Sequence, residues 1–212
     1  MEIITKYFAD FTPKQLAQFA KLQELYSYWN AQINVISRKD INELYQNHVL
    51  HSLAIATQFQ FVPRQQIMDL GCGGGFPGIP LAIMYPETEF LMVDSINKKL
   101  KVVQEIAEAL ALTNITVRHT RAEDIKDKTF DYVISRAVAP LVKLWQWSNL
   151  LINKKSSYQA KSDVYNGLIC LKGGDLTVEI AESGLRPLVW NIEGIYKEPY
   201  FKEKYILFVP KR

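Results

Sequence analysis

The sequence predicts an α/β fold: a mostly parallel twisted sheet with an antiparallel C-terminal hairpin and an N-terminal helical extension. The first sixty or so residues show helical periodicity. From residue 66 onward, short apolar runs alternate with amphipathic segments, which is typical of parallel strands joined by helices. Two closing β-type segments then predict the hairpin. We therefore expect a helical extension over 1–62 and a main domain over 63–212, together forming one structural unit.

The N-terminal extension has a recognisable helix start at Thr12. Thr12 can cap a helix, Pro13 suits the first helical position and Gln15 completes a capping box. The apolar residues that follow recur at helical spacing and predict one buried stripe: Leu16, Phe19, Leu22, Tyr26 and Trp29. The rest of the extension is predicted as a loop or turn over 29–37 and a second helix from Asp40 to Ala56, ended by Pro63.

The main domain is predicted to alternate strands with helices. Its elements are strand 67–70, loop 71–78, helix 79–84, strand 89–94, helix 98–112, strands 114–119 and 130–135, helix 138–152, strand 167–172, and a hairpin of 187–196 with 204–209. Residues 153–166 are polar, lysine-rich and aperiodic, so we expect a long, flexible surface loop there.

Composition excludes several classes of protein. A chain of 212 residues, 48% of them hydrophobic, suits one domain with an ample core. No apolar stretch approaches the roughly 18–20 residues of a membrane helix, and the first residues lack a signal pattern, so we expect a soluble cytoplasmic protein without membrane contact. Two cysteines and three histidines without metal-ligand spacing predict no metal site. The net charge of +3 permits an anionic partner without establishing one.

A glycine-rich loop over 69–78 carries the functional signal. It leaves a predicted strand and enters a predicted helix, which places it where open α/β sheets bind ligands. Its residues fit two patterns. Gly73 to Gly78 match the GxGxxG of dinucleotide sites, whereas Asp69, Gly71, Gly73 and Gly75 match the DxGxGxG of methyltransferases.

Two residues favour the second pattern, and with it S-adenosylmethionine. Asp69 is an acid suited to the cationic amine of that ligand, directly or through water, and would be an awkward neighbour for a pyrophosphate. Pro77 removes one of the N–H donors that a pyrophosphate would need at the helix entrance. Asp94 ends the next strand, where its carboxylate can accept hydrogen bonds from two ribose hydroxyls.

Three further residues are candidate ligand contacts. The backbone of Ala122 and Glu123 follows the third strand, beside the expected adenine position, although the acids of that turn also suit an ordinary helix start. Arg136 directly follows an apolar strand and can hold either the methionine carboxylate or an RNA phosphate. An ordinary surface arginine is the alternative.

The loop and its surroundings resemble the bacterial 16S ribosomal RNA guanine-N7 methyltransferase family, also called glucose-inhibited division protein B. The selective match is the continuation of the glycine loop through Phe76-Pro77-Gly78-Ile79-Pro80. Supporting matches are HVLHSL at 48–53, Val93-Asp94-Ser95, Val133 to Ala137 and Leu171-Lys172-Gly173. The similarity runs from about Trp29 to the end of the chain.

The resemblance implies a class I Rossmann-like S-adenosylmethionine-dependent methyltransferase. It also implies a target guanine in a loop of the small ribosomal subunit, and cofactor contacts at Gly71, Phe76, Ala122, Glu123 and Arg136. Two departures stand out. The segment before the fifth strand is longer than in the family. The family's Glu-Arg-His is Glu203-Lys204-Tyr205 here, which keeps the charge and loses a bidentate fork.

Guanine N7 offers a lone pair and carries no proton, so its methylation requires no general base, and we assign no catalytic residue. For RNA contact we single out Lys172, which ends a central strand beside the site, and Lys204. Weaker candidates are Lys98, Lys99, Lys101, Lys154, Lys155 and Lys161. His48 and His51 suit packing or capping better than catalysis. We expect ribosomal RNA or the small subunit as partner and a monomer.

Three alternatives remain open on sequence grounds. A methyltransferase of the same fold can act on a small molecule or a protein. The glycine loop can serve a nicotinamide-dependent oxidoreductase, for which it also has a formal motif. A regulator that binds an adenosyl ligand without catalysis has the same loop requirements. Salt dependence of substrate binding, and stabilisation by one ligand but not the other, distinguish these classes.

Overall fold

The computed structural model describes residues 1–37, 39–136, 138–154 and 165–212. Most of the loop predicted over 153–166 therefore lies outside the described residues. The chain begins with a short helix, α1 (Glu2–Thr5), followed by the long helix α2 (Pro13–Gln32). The predicted capping box is confirmed, because Thr12 accepts from the Gln15 N–H while the Gln15 side chain accepts from the Thr12 N–H.

Helix α2 runs further than the sequence indicated. Because it continues to Gln32, the loop predicted to start at residue 29 begins too early. Asn30 explains the actual end of the helix. Its side-chain oxygen accepts from the N–H groups of Val35 and Ile36, and its side-chain nitrogen donates to the Ile36 carbonyl. The following loop is therefore folded back onto the last turn of α2.

The predicted second helix of the extension is present in an irregular form. Tight turns at Ile41–Glu43 and Ala54–Thr57 flank a wide, π-type stretch at Tyr45–Leu50 and a single α-turn, α3 (His51–Leu53). Such wide turns often occur at functional sites. This one carries His48, whose ring packs on Phe76 of the glycine loop.

One seven-stranded sheet forms the centre of the molecule. The strands are β1 (Gln66–Leu70), β2 (Glu89–Asp94), β3 (Ile115–His119), β4 (Tyr132–Arg136), β5 (Gly167–Gly173), β6 (Leu188–Asn191) and β7 (Lys204–Pro210). Their order is β3-β2-β1-β4-β5-β7-β6. The first five are parallel, and β7 runs antiparallel to both β5 and β6. The predicted mostly parallel sheet with an antiparallel C-terminal hairpin is confirmed.

The connecting helices are α4 (Gly78–Met84), α5 (Asn97–Ala109), α6 (Leu141–Ser148) and α7 (Thr177–Ser183). Helix α6 is shorter than the predicted 138–152, because Pro140 disfavours helical backbone before it and a tight turn, Asn149–Leu151, follows. The sequence did not predict α7. It spans seven residues and buries none of them fully, so it has no strong apolar stripe.

Side chains alternate between the two faces of the sheet, as they must along a strand. Ile67, Phe90 and Tyr132 face the N-terminal helices, whereas Met68 and Leu91 face α6 and α7. Three members of the predicted stripe, Phe19, Leu22 and Tyr26, are fully buried in the first of these clusters. Leu16 and Trp29 are half-buried. A boundary between 62 and 63 remains a prediction.

Within the described ranges, none of the helices has both the length and the apolar character needed to cross a membrane.

Candidate functional site

A cavity of about 650 Å³ opens at the carboxyl ends of the parallel strands. Leu70, Asp94 and Arg136, which end β1, β2 and β4, all line it. β1 and β4 are neighbours in the sheet, and the chain leaves them in opposite directions. Ligands bind in α/β sheets at such a switch point, and the volume lies in the range of small-molecule pockets.

The glycine loop forms one wall of this cavity. Gly71 and Gly73 adopt φ values of +67° and +55°, in the left-handed region that favours glycine. A Cβ at Gly71 would lie 2.7 Å from Val138 Cγ2, so a side chain there would collide with a residue just after β4. A Cβ at Gly73 would meet no heavy atom within 4 Å. The backbone at Gly73 therefore faces open space that a ligand can approach.

Asp94 is the acid that faces the cavity. Its Oδ2 accepts from the Gly73 N–H at 2.9 Å and its Oδ1 from the Ile96 N–H at 2.8 Å. These bonds fix the carboxylate between the glycine loop and the start of α5. Since an ionised carboxylate has about four acceptor positions, two remain for donors of a ligand. The geometry therefore allows the predicted contact between Asp94 and the hydroxyl groups of a ligand.

Asp69 lies behind the loop rather than on the cavity wall. It is fully buried, and its Oδ2 accepts from the Gly78 N–H at 2.8 Å. Burial raises the pKa of this carboxyl to about 7. Because side chains alternate along β1, Asp69 points to the face that packs on α4 and not to the ligand side. Its other oxygen, Oδ1, is buried without a hydrogen-bond partner among the described residues, so the contact with a ligand amine, directly or through water, stays a prediction beside this support of the loop.

Phe76 connects the glycine loop to the N-terminal extension. Its ring lines the cavity and lies 4.8 Å from the ring of Tyr26 and 5.1 Å from that of His48, between centroids. Tyr26 is fully buried and its hydroxyl donates to the Gly74 carbonyl at 2.6 Å. Burial raises the pKa of Tyr26 well above its ordinary value, so the hydroxyl remains a donor. Helix α2 therefore helps to hold the loop in shape.

Arg136 is held in place from several sides and is not an ordinary surface residue. Its guanidinium lies 5.1 Å from the centre of the Phe76 ring and donates to the Asn47 carbonyl. Its Nη2 lies 2.9 Å from His48 Nδ1. Burial, together with the neighbouring Arg136 charge, lowers the pKa of His48 to about 3, so this imidazole is neutral and accepts from the guanidinium. His48 therefore orients Arg136, whose side chain reaches the cavity.

The opposite wall comes from the turns after β2 and β3. Ala122 and Glu123 belong to a tight turn, Ala122–Asp124, and both line the cavity as the sequence predicted. Ile96 adds an exposed apolar side chain on the same wall. An apolar side chain beside backbone groups on one wall suits a flat heteroaromatic ring.

Among the described residues, no cluster of three or more histidine, cysteine or acidic side chains could hold a metal ion. Burial raises the pKa of the Cys72 and Cys170 thiols, so neither is an activated nucleophile. His51 is buried against Tyr200 and Phe201, in keeping with packing rather than catalysis.

The comparisons with known proteins agree with this geometry. Residues 15–164 match the model of the family described as GidB, rRNA small subunit methyltransferase G. The chain is 51% identical over 209 residues to "Ribosomal RNA small subunit methyltransferase G" of Phocaeicola vulgatus, covering 99% of this chain and 98% of that protein. It is also 51% identical over 208 residues to the protein of the same name from Bacteroides thetaiotaomicron, covering 98% of each. The chain belongs to this family.

A solved structure shows the same fold at much lower identity. The SAM-dependent methyltransferase from Aquifex aeolicus superposes with a TM-score of 0.59 at 13% identity, over 84% of this chain and all of that one. This family member therefore has the class I, Rossmann-like methyltransferase fold that the sequence predicted.

The two lysines predicted to contact RNA have different surroundings in this family member. Lys172 Nζ lies 2.7 Å from Glu179 Oε1, also donates to the Ala139 carbonyl, and leaves only 9% of its side chain exposed. It thus ties β5 to α7, and the RNA contact predicted for it stays a prediction that this pairing does not favour. Lys204 lies over the ring of Tyr200, 5.4 Å from its centre, and is not in the cavity lining.

The other candidate lysines are scattered. Lys99 lines the cavity, whereas Lys98, Lys101 and Lys154 are exposed on the surface. Lys155 and Lys161 lie outside the described residues. Sequence reasoning also missed lining residues that lie far from the glycine loop in the chain. These are Val35, Ile96, Val138 and Trp147. Their positions depend on tertiary packing, so the apolar residues themselves, in loops or on α6, gave no local signal of a ligand site.

Proposed function

We propose that this chain transfers the methyl group of S-adenosylmethionine to N7 of a guanine in small-subunit ribosomal RNA. The observation that carries the proposal is the cavity at the carboxyl ends of β1, β2 and β4. There an open glycine backbone, the Asp94 carboxylate and the Arg136 guanidinium face the same space. Membership of the rRNA small subunit methyltransferase G family supports the choice of RNA as acceptor.

The residues of the cavity fit the methyl donor. Asp94 has acceptor positions to spare for ribose hydroxyls, and the wall formed by Ile96, Ala122 and Glu123 suits an adenine ring. The open backbone at Gly73 allows close approach of the amino-acid portion. Arg136 is the group that can neutralise its carboxylate. Gly71 and Phe76 shape the wall between the two portions.

The loop is poorly suited to a dinucleotide. A pyrophosphate needs free N–H donors at the start of the following helix. Here Pro77 supplies none, and the Gly78 N–H is already bonded to Asp69. The N–H donors that a pyrophosphate needs at this helix start are therefore not free. This arrangement favours a ligand with a cationic centre over NAD.

Bound S-adenosylmethionine supplies an electrophilic methyl group on a sulfonium. The chain's residues then have to orient the acceptor and exclude water. Guanine N7 presents an in-plane lone pair without a proton, so no residue has to act as a base. Alignment alone can supply up to roughly 7–11 kcal/mol of a barrier. Arg136, oriented by His48, is placed to hold an anionic group at the mouth of the cavity.

The proposed substrate also implies where the enzyme acts. Because that substrate is ribosomal RNA, free or in the small subunit, we propose that the enzyme acts in the cytoplasm. We also propose that the enzyme acts as a monomer and that no metal takes part.

Methyl transfer from tritium-labelled S-adenosylmethionine tests the proposal. The acceptors are naked 16S RNA, isolated small subunits, total protein and a small-metabolite extract, each with the wild type and with Asp94→Asn. We expect label in RNA or in subunits, and far less with the variant. Label confined to the protein or metabolite fraction would contradict the RNA acceptor. Stabilisation by NAD(H) without stabilisation by S-adenosylmethionine would contradict the donor.

A further inference from the structure

A second cleft, of about 530 Å³, lies at the opposite end of the strands from the cavity. Tyr132 and Leu188, which line it, are the first residues of β4 and β6, and Pro210 is the last residue of the antiparallel β7. The cleft therefore opens at the amino ends of the parallel strands. β4 separates the two sites, because its first residue lines the cleft and its last residue, Arg136, lines the cavity. The cleft therefore lies at the far end of the strands from the proposed methyl-transfer site.

Aromatic side chains form the floor of the cleft. Phe59, from the segment after the extension's second helix, packs edge-on against Trp190 and Phe208, with ring centres 5.7 and 5.1 Å apart. Phe59 and Trp190 are only half-buried, and Leu188 beside them is 55% exposed. Trp190 and Leu188 lie two residues apart on β6 and so present the same face. A large apolar surface is thus left open at this edge.

The rim of the cleft is positively charged. Arg186 and Arg212 line it on the exposed side, and no acidic side chain is part of the lining among the described residues. Gln58 and Gln60 complete the polar rim. An aromatic floor with guanidinium groups at its edge matches the two halves of a nucleotide, because bases stack on aromatic rings and phosphates pair with arginine.

We propose that this cleft holds an unpaired nucleotide of the substrate RNA, its base against Trp190 and Phe59 and its phosphate on Arg186 and Arg212. The inference rests on the proposed function, since it takes the RNA to be the substrate. It adds an anchoring point remote from the methyl-transfer site. Sequence-specific or structure-specific RNA recognition commonly uses splayed bases in this way.

A second copy of this chain is a poorer occupant. A two-fold dimer buries the same patch on both subunits. It would bring Arg186 and Arg212 of both subunits into one interface without an acidic partner in the lining. An RNA phosphate backbone neutralises these charges instead.

The double variant Arg186→Glu/Arg212→Glu tests the proposal, with Lys14→Glu/Lys21→Glu as a control. The control makes the same change of charge at exposed positions on α2. We expect the KM for RNA to rise about tenfold or more in the cleft variant, with kcat and the Kd for S-adenosylmethionine unchanged. The slope of log affinity against log salt should become shallower by roughly 0.7, the value for the one single-strand phosphate that no longer pairs with the arginines. The control variant should shift KM less than threefold.

An independent readout uses 16S RNA carrying 4-thiouridine, photo-crosslinked to the wild-type protein and mapped by mass spectrometry. Cross-links on peptides containing Phe59 or Trp190 support the cleft site. The proposal is overturned if the cleft variant and the control variant have the same KM for RNA and no cross-link maps to peptides containing Phe59 or Trp190. A concentration-dependent dimer in sedimentation that the cleft variant abolishes without changing the KM for RNA would also overturn it. If the wild type methylates no RNA but the cross-links still form, the proposed function fails and the cleft site stands.

Discussion

The hydroxyl of Tyr26 donates to the carbonyl oxygen of Gly74 at 2.6 Å, and so joins the N-terminal helix α2 to the glycine loop. Both groups are buried. The same ring packs on Phe76, the next aromatic residue of the loop. The shape of the ligand loop therefore depends on a residue 48 positions earlier in the chain.

Tyr26→Phe should weaken both stability and ligand binding. The variant keeps the ring but leaves the Gly74 carbonyl without its donor, at a cost of about 1–3 kcal/mol for a buried unsatisfied group. We expect the unfolding free energy to fall by that amount in urea denaturation. The Kd for S-adenosylmethionine, measured by calorimetry, should rise several-fold. Tyr28→Phe, at an exposed position on the same helix, should leave both quantities unchanged.

Asp94→Asn should weaken ligand binding. An amide oxygen can replace only one side of the carboxylate, so either the Gly73 or the Ile96 N–H loses its acceptor, and ribose donors lose theirs. We expect the Kd for S-adenosylmethionine to rise at least tenfold by calorimetry. Asp127→Asn, which changes an exposed acid paired with Arg118, is the matched control and should bind normally. Equal affinities of the two variants would contradict the assignment of Asp94.

The buried Asp69 predicts a dependence of stability on pH. Its carboxyl has a pKa of about 7 in the folded chain against 3.8 ordinarily, so between these values the folded state holds the proton and the unfolded state has lost it. The unfolding free energy therefore falls as pH rises through this window, by up to roughly 1.4 kcal/mol per unit.

Asp69→Asn removes this titration. We expect the difference in unfolding free energy, variant minus wild type, to increase by more than about 1 kcal/mol between pH 4.5 and pH 7.5. The variant thus becomes more stable relative to the wild type as pH rises. Urea denaturation at both pH values without ligand measures it, and the pH 4.5 comparison serves as the internal control. A difference independent of pH would show that the carboxyl ionises in the fold as it does in water.

Substitution of Lys172 should affect mainly stability, whereas substitution of Lys204 should affect mainly RNA binding. Lys172→Met leaves the Glu179 carboxylate without its cationic partner, and we expect the unfolding free energy to fall by about 1–3 kcal/mol with no change in the KM for RNA. Lys204→Met removes a more accessible charge near the carboxyl end of β5, and we expect a higher KM with little loss of stability. Urea denaturation and steady-state methylation of RNA measure the two effects. The reverse pattern would contradict the roles assigned from the structure.

Local signals in the sequence were sufficient for much of the fold. The capping box at Thr12 and the glycine loop after β1 are determined by neighbouring residues, and both are where the sequence predicts them. The short helix α7 escaped prediction because it is held by contacts with α6 and by the ion pair of Glu179, rather than by a strong periodic pattern. The end of α2 was misplaced because Asn30, not a glycine or proline, turns the chain.

The site was predictable only where it follows the strand ends. Asp94, Ala122, Glu123 and Arg136 line the cavity because parallel strands end at one edge of a sheet. The orientation of Asp69 could not be read in the same way, because strand alternation and the packing of α4 determine which face its carboxylate takes. The pairing of Lys172 with Glu179 depends on a helix that the sequence did not reveal.

Mass spectrometric mapping of methylated guanines tests the central claim most directly. Small-subunit ribosomal RNA that lacks the modification is incubated with S-adenosylmethionine and either the wild type or Asp94→Asn, then digested and mapped. The proposal predicts one N7-methylguanine with the wild type and little or none with the variant. Methylation at another atom, on another base, or at an equal level with both proteins would contradict it.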